Sequence, residues 1–179
     1  IDVPERVIDE RIKWRRVCPV CQNSRNLKLY PTSKTGFNKE KKEFYLICDD
    51  CQVKMVKKEG DELGIEPIKE RLKMDQKLME QAISLYGIPK IFLRNSIPIS
   101  KAKEFVDEYE VTPEYLFGWD GKSIKRKEKP WVVLDDENIP SYSLLPPPVV
   151  LSLINQLIEI LNEFNVKKMV FSSSAAVYL

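Results

Sequence analysis

The four cysteines of this 179-residue chain fall into two pairs, Cys18-Pro19-Val20-Cys21 and Cys48-Asp49-Asp50-Cys51, each of the form C-x2-C, with 26 residues between them. A C-x2-C turn lets two thiolates converge on one ion while backbone amides point at the sulfurs. Two such knuckles supply the tetrahedral four-sulfur shell that Zn2+ prefers. Cys18, Cys21, Cys48 and Cys51 are therefore read as the ligands of a structural zinc. A rubredoxin-like iron site or an Fe-S cluster would use the same ligands, and a pair of disulfides is the remaining alternative, against which stands the lack of a secretory signal. Four thiolates close the shell and leave no open water position for catalysis. Histidine is absent from the chain. That removes Ser-His-Asp and Cys-His nucleophilic machinery and every metal site that needs an imidazole.

The elements expected to hold these ligands are short strands. Asn26–Tyr30 and Glu43–Ile47 read as two strands, Val53–Val56 alternates apolar and charged residues and offers a third, and Pro31–Lys42, with Gly36 and four lysines, reads as the exposed connection. Trp14 and Val17 lead into the first knuckle. Over residues 12–58 the chain resembles the zinc-ribbon family, in which two C-x2-C knuckles sit at the end of a small antiparallel sheet. The resemblance implies a ribbon fold, of the kind found in transcription and translation factors. Ribbon proteins often place Gly after the second knuckle, where this chain has Gln52. The acidic hairpin tip of transcription-cleavage ribbons is also missing, since this tip carries Lys34, Lys39, Lys41 and Lys42 with Glu40.

Charge points the same way. The net charge is only +2, but residues 1–60 hold 14 Lys and Arg against 9 Asp and Glu, so the front of the chain is basic and the rest mildly acidic. Arg15, Arg16, Arg25, Lys28, Lys34, Lys39, Lys41 and Lys42 are candidates for contact with RNA or DNA, with Trp14, Tyr30, Phe37 and Tyr45 as stacking rings. Protein docking and plain solvation are the competing readings of the same residues.

A glycine-bearing acidic break, Glu59–Gly64, marks a boundary between a zinc-ribbon domain, 1–60, and an α+β domain, 61–179. In the second part, helices are expected near 67–86, 100–111 and 148–164. The first carries Ile68, Leu72, Met79, Ile83 and Tyr86 at helical spacing, and the second Ala102, Phe105, Val106 and Tyr109. Ile91–Leu93 reads as a short strand, Thr112-Pro113-Glu114 as a capped helical turn, and residues 123–127 and 131–134 as strands able to pair after the Asp120-Gly121 hairpin signal. Asp135-Asp136-Glu137 reads as a solvated turn. The helix after Pro146-Pro147-Pro148 is apolar around most of its circumference and must be buried, in this domain or against a partner.

Residues 166–178, ending Ser172-Ser173-Ser174-Ala175-Ala176-Val177-Tyr178, resemble the strand-and-loop of sugar-nucleotide epimerases, which implies a catalytic role for Ser174. The GxxGxxG dinucleotide loop of that family is absent, and neither Tyr-x3-Lys spacing, Tyr30 to Lys34 or Tyr86 to Lys90, follows the serines or is helical, so the tail is read as inert.

The overall expectation is an α+β protein, a small antiparallel zinc ribbon followed by a mixed helix and hairpin domain. Its leading function is a non-catalytic zinc-binding module of a nucleic-acid or ribonucleoprotein assembly. The alternative is a structural protein-docking subunit, and an enzyme ranks third. A cytoplasmic location follows from the absence of any membrane-length apolar run or signal peptide. Abundant Lys and Glu with twelve prolines fit a thermophile's chain.

Overall fold

The computed structural model of the chain describes residues 2–105 and 110–166. Val106 and Tyr109, expected on the second helix, and the epimerase-like stretch with Ser174 lie outside the described residues. The fold is α+β. In order it comprises α1 (Glu5–Lys13), β1 (Arg15–Val17), β2 (Ser24–Asn26), β3 (Lys34–Asn38), β4 (Glu43–Ile47), α2 (Lys69–Ser84), β5 (Ser96–Pro98), α3 (Ile99–Phe105), β6 (Pro113–Trp119), β7 (Ile124–Pro130), β8 (Val132–Leu134), β9 (Pro140–Ser143) and α4 (Pro146–Glu163).

The ribbon is two antiparallel pairs, β1 with β2 and β3 with β4. The stretch after the second knuckle joins them: Val17 and Val56 exchange both backbone hydrogen bonds at 2.8 and 2.9 Å, and Met55 N–H donates to the Leu46 carbonyl at 2.9 Å. The expected strand 26–30 is displaced, because the Asn26 side chain accepts from the amides of Lys28 and Leu29 and turns the chain there. The segment 31–42 is not wholly a connection, since Lys34–Asn38 forms β3. Its cross-strand pairs Gly36 with Tyr45 and Phe37 with Phe44 give that strand its reason to form.

Two cores lie close together. Cys18, Leu27, Leu46, Cys48 and Met55 form the first, with Trp14, Phe44 and Phe117 against it, while Val7, Leu29, Trp131 and Val133 form the second. Each draws on residues from both halves of the sequence. The hairpin β6–β7 supplies Phe117, and α1 supplies Val7. Gly64 is where α1 meets the acidic break: its φ is +60°, and a Cβ there would strike the Asp9 carboxylate, which accepts from Ile65 N–H at 3.1 Å.

The second half differs from its expected form in several places. Thr112–Glu114 makes no helical turn; Pro113 opens β6, a position at which a strand tolerates proline, and Tyr115, Phe117 and Trp119 alternate along it. The Asp120-Gly121 turn therefore pairs residues 124–130 with 113–119, and 132–134 pairs instead with β9 in a β5-β9-β8 sheet. Ile91–Leu93 is not a strand, although Leu93 accepts from Asp2 N–H at 2.7 Å.

The expected solvated turn is exposed at Asp136, Glu137 and Asn138, but its first residue, Asp135, is buried. Asp135 is 1% exposed, and its carboxylate accepts from the amides of Glu137 and Ile139 and from Ser141 Oγ. Asp136 accepts from Glu5 N–H at 3.0 Å, satisfying a free donor at the start of α1. Glu137 reaches Arg94 at 3.5 Å.

At α4 no side chain caps the first turn, and none is needed for its first three residues, because Pro146, Pro147 and Pro148 have no N–H to satisfy. The helix does not bury its apolar surface: Val150, Leu151, Leu153, Ile154 and Ile158 are exposed. Nor does α2 bury Met74, Leu78, Met79 or Ile83. Among the described residues, no helix is long and apolar enough to cross a membrane.

Candidate metal centre and the basic cleft beside it

The two knuckles are near-copies of one another. In the first, Cys18 N–H donates to the Asn23 carbonyl and Gln22 N–H to the Cys18 carbonyl, at 2.9 and 3.0 Å; in the second, Cys48 N–H donates to Val53 and Gln52 N–H to Cys48, again at 2.9 and 3.0 Å. Gln22 and Gln52 both take a left-handed backbone, with φ of 61° and 56°. That is the conformation for which ribbon proteins use glycine, and here side-chain bonds offset its cost. Gln52 donates to the Asp49 carbonyl at 2.5 Å and accepts from Lys34 Nζ at 2.6 Å.

The knuckles bring all four Sγ atoms within 4.8 Å of one another, and Cys21 Sγ lies 3.6 Å from Cys48 Sγ. A tetrahedral ion with Zn–S bonds of about 2.3 Å needs sulfurs about 3.8 Å apart. The set fits a four-thiolate metal site. Backbone amides ready the site for charge: the Cys21 amide, then that of Val20, pulls the Cys18 thiol down to about 7. The Cys51 thiol is pushed up to about 12, first by its hydrogen bond with Cys21 and then by burial. The thiols alone do not all ionise together at neutral pH, and a bound cation supplies the charge that lets them.

Beside the ribbon lies a cleft of about 580 Å³ whose lining includes Trp14, Arg16, Lys28, Lys41, Lys42 and Tyr45. Arg16 is the unusual member. It is only 6% exposed, and its guanidinium donates to the carbonyls of Lys13 and Arg15 at 3.3 and 2.7 Å. No carboxylate among the described residues stands within ion-pair distance of it; Glu43 and Asp61 act on it only at longer range, and burial lowers its pKa. Lys28 Nζ lies 4.3 Å from the Trp14 ring centre and 3.3 Å from Glu10.

No family model matches the chain, and no solved structure matches it. Its similarity is to curated adenylate kinases. That of Thermotoga neapolitana is 30% identical over 121 residues, 68% of this chain and 47% of the relative. That of Clostridium beijerinckii is 34% identical over 87 residues, 49% and 35% of the two chains. That of Thermotoga maritima is 34% identical over 93 residues, 52% and 37%. The chain thus spans less than half the length of the relatives it matches.

The eight basic candidates part company in three dimensions. Arg16, Lys28, Lys41 and Lys42 share the cleft. Arg15 is committed to Asp61 through two bonds of 2.8 and 2.6 Å. Arg25 lies over the Tyr30 ring at 5.2 Å, Lys34 holds Gln52, and Lys39 lies 5.5 Å from the Trp119 ring centre. The sequence reading missed Lys54 and Lys57, which also line the cleft, and Tyr115 and Phe117, which close it. Their signal was present in the alternation after Gln52 and along 113–119, but the latter was masked by the Thr-Pro-Glu pattern.

Proposed function

We propose that the chain is a structural zinc module of a nucleotide-handling protein, and that the cleft beside the metal centre receives the phosphate groups of a nucleotide. The observation that carries this reading is Arg16. A guanidinium buried without a carboxylate is costly, and an incoming phosphate, bound in a bidentate manner, offsets that cost. Lys28, Lys41, Lys42, Lys54 and Lys57 add positive charge around it, and Trp14 and Tyr45 add flat apolar surface for a base. The similarity to adenylate kinases supports an adenine nucleotide as the ligand and phosphoryl transfer as the activity of the whole protein. No catalytic group is assigned within these residues. The sequence has no G-x4-G-K-[ST] loop, and Gly121-Lys122-Ser123 lies in the β6–β7 turn and not at the start of a helix.

Calorimetric titration of the zinc-loaded protein with ATP, ADP, AMP and pyrophosphate tests the reading. At least one should bind, and Arg16→Gln, checked for zinc content and melting temperature, should weaken it by about tenfold or more. Absence of binding by every one of these at millimolar concentration would remove the nucleotide from the proposal.

A second reading, docking of a protein partner, is favoured by one observation: the exposed apolar residues of α4. Removing Leu151 and Ile158 together by substitution with Gln should leave nucleotide binding unchanged and abolish any self-association or partner capture seen with the parent.

A further inference from the structure

The β6–β7 hairpin has two unlike faces. Residues of a strand alternate between faces, and directly paired residues share one. Tyr115, Phe117 and Trp119 look toward the ribbon, where Phe117 meets Phe44 at 5.6 Å and Trp119 stacks on Phe37 at 5.1 Å and 19°. The opposite face therefore holds Glu114, Leu116 and Gly118 with their partners Lys129, Lys127 and Lys125. It is lined on one edge by lysines, and β7 is exposed along nearly its whole length.

The aromatic stacking covers the other, inward face with the β3–β4 hairpin. Because Phe37 is packed on Trp119, Lys39 at the end of the β3–β4 hairpin reaches the Trp119 ring at 5.5 Å. The β6–β7 hairpin itself, residues 113–130, carries five basic and three acidic side chains in a chain whose net charge is +2, and one of the five, Arg126, lies over the Tyr115 ring on the inward face. Several of the acids are already committed. The Asp120 carboxylate accepts from the amides of Lys122 and Ser123 and from Ser123 Oγ and pairs with Lys125 at 3.4 Å, and Glu114 pairs with Lys129 at 3.1 Å, exposed pairs that a phosphate can replace at little cost. Lys122 and Lys127 have no ion-pair partner among the described residues.

We propose that this outward face of β6–β7 docks single-stranded nucleic acid. Charge complementarity calls for a polyanion, and the geometry selects an extended one. Lys125, Lys127 and Lys129 stand two residues apart on one strand and so repeat about every 6.8 Å, which is the order of the spacing between successive phosphates of an extended single strand. A duplex, whose phosphates lie on two curved rails, meets such a straight row at few points. The lysines contact phosphate as point charges and read no sequence. The surface borders the nucleotide cleft at Leu116, but its lysines Lys122, Lys125 and Lys127 do not line that cleft, and the proposal does not rest on that reading.

The test uses the zinc-loaded full chain and fluorescein-labelled (dT)20, titrated by anisotropy at several salt concentrations, beside a duplex of the same length and ADP. The parent should bind (dT)20 more tightly than the duplex, with affinity falling steeply as salt rises. Replacing Lys122, Lys125 and Lys127 together by Gln should weaken (dT)20 binding and flatten the logarithmic salt slope by about 2, at about 0.7 for each phosphate no longer neutralised, while ADP affinity and melting temperature stay at the parent's values. An unchanged affinity and slope, a preference for duplex, or no (dT)20 binding by the parent at low salt would each overturn the proposal. Loss of ADP binding by Arg16→Gln with (dT)20 binding retained would support both surfaces as separate. Failure of ADP to bind the parent would count against the cleft alone.

Discussion

The ring of Tyr45 lies directly over Gly36, its cross-strand partner, with Lys54 Nζ 4.5 Å from the ring centre. Glycine is required there by space and not by backbone angle: a Cβ at position 36 would enter the Tyr45 ring. This pair fixes how Tyr45 faces the basic cleft.

Gly36→Ala should therefore destabilise the ribbon by about 1–3 kcal/mol, the usual cost of overpacking. In a Tyr45→Ala background the same change should cost little or be favourable, since alanine suits a strand better than glycine. Urea unfolding of the four proteins of this cycle measures the coupling. Additive costs would mean that the ring does not occupy the space over Gly36.

Glycine substituted at the two left-handed glutamines should relieve the local backbone strain. Gln22→Gly should stabilise by about 0.5–1 kcal/mol, the relief of left-handed strain less the added freedom of the unfolded chain. Gln52→Gly should gain less, because it also loses the bonds to Asp49 and Lys34. Denaturation midpoints of zinc-loaded protein check both.

Metal analysis should find one zinc per chain. Removing it with a strong chelator, or replacing Cys48 with Ser, should raise amide hydrogen exchange across residues 15–57 and also along 113–119, because Phe117 packs on the same core as Cys48. Amides of α2 and α4 should change little, since neither helix buries a residue. Exchange confined to the ribbon would show that the hairpin stands without it.

Asp135 ties stability to pH. Its folded pKa is lowered, chiefly by the Ile139 amide and with Ser141 Oγ and the Glu137 amide adding to it, so its contribution is present above the unfolded value of about 3.9 and is lost as pH falls through the lower folded value. Asp120, held at about 2 first by the Ser123 amide, follows the same sign in the β6–β7 turn. The melting-temperature gap between the parent and Asp135→Asn should stay constant from pH 7 to about pH 5 and close at lower pH. A gap that widens in acid would reverse the assignment.

The clustering of Cys18, Cys21, Cys48 and Cys51 was legible in the sequence, because residue type and C-x2-C spacing are local properties and each knuckle needs nothing distant to form. The helices at 69–84 and 146–163 were legible by period, yet their surroundings were not. Periodicity says which residues share a face, and only tertiary structure says whether anything covers it. Strand partners failed for the same reason: the pattern pairs 123–127 with 131–134, and the actual mate, 113–119, is held in place by Phe117 and Trp119 meeting Phe44 and Phe37, more than seventy residues away. Arg16 looked like any other arginine of a basic run. Its distinction is burial without a carboxylate, which no spacing encodes.

The aromatic contact between the two hairpins also imposes an order on synthesis. All four ligands have left the ribosome once residue 51 is free, whereas Phe117 and Trp119 follow more than sixty residues later. At about 5–20 residues per second, the nascent ribbon spends roughly 3–14 s with all four cysteines made while Phe44 and Phe37 are still bare. During that interval the ribbon stands on its own strand pairs, on Leu27, Leu46 and Met55, and on whatever ion the four cysteines hold, so a chain that failed to close there would offer the arriving hairpin no ordered surface.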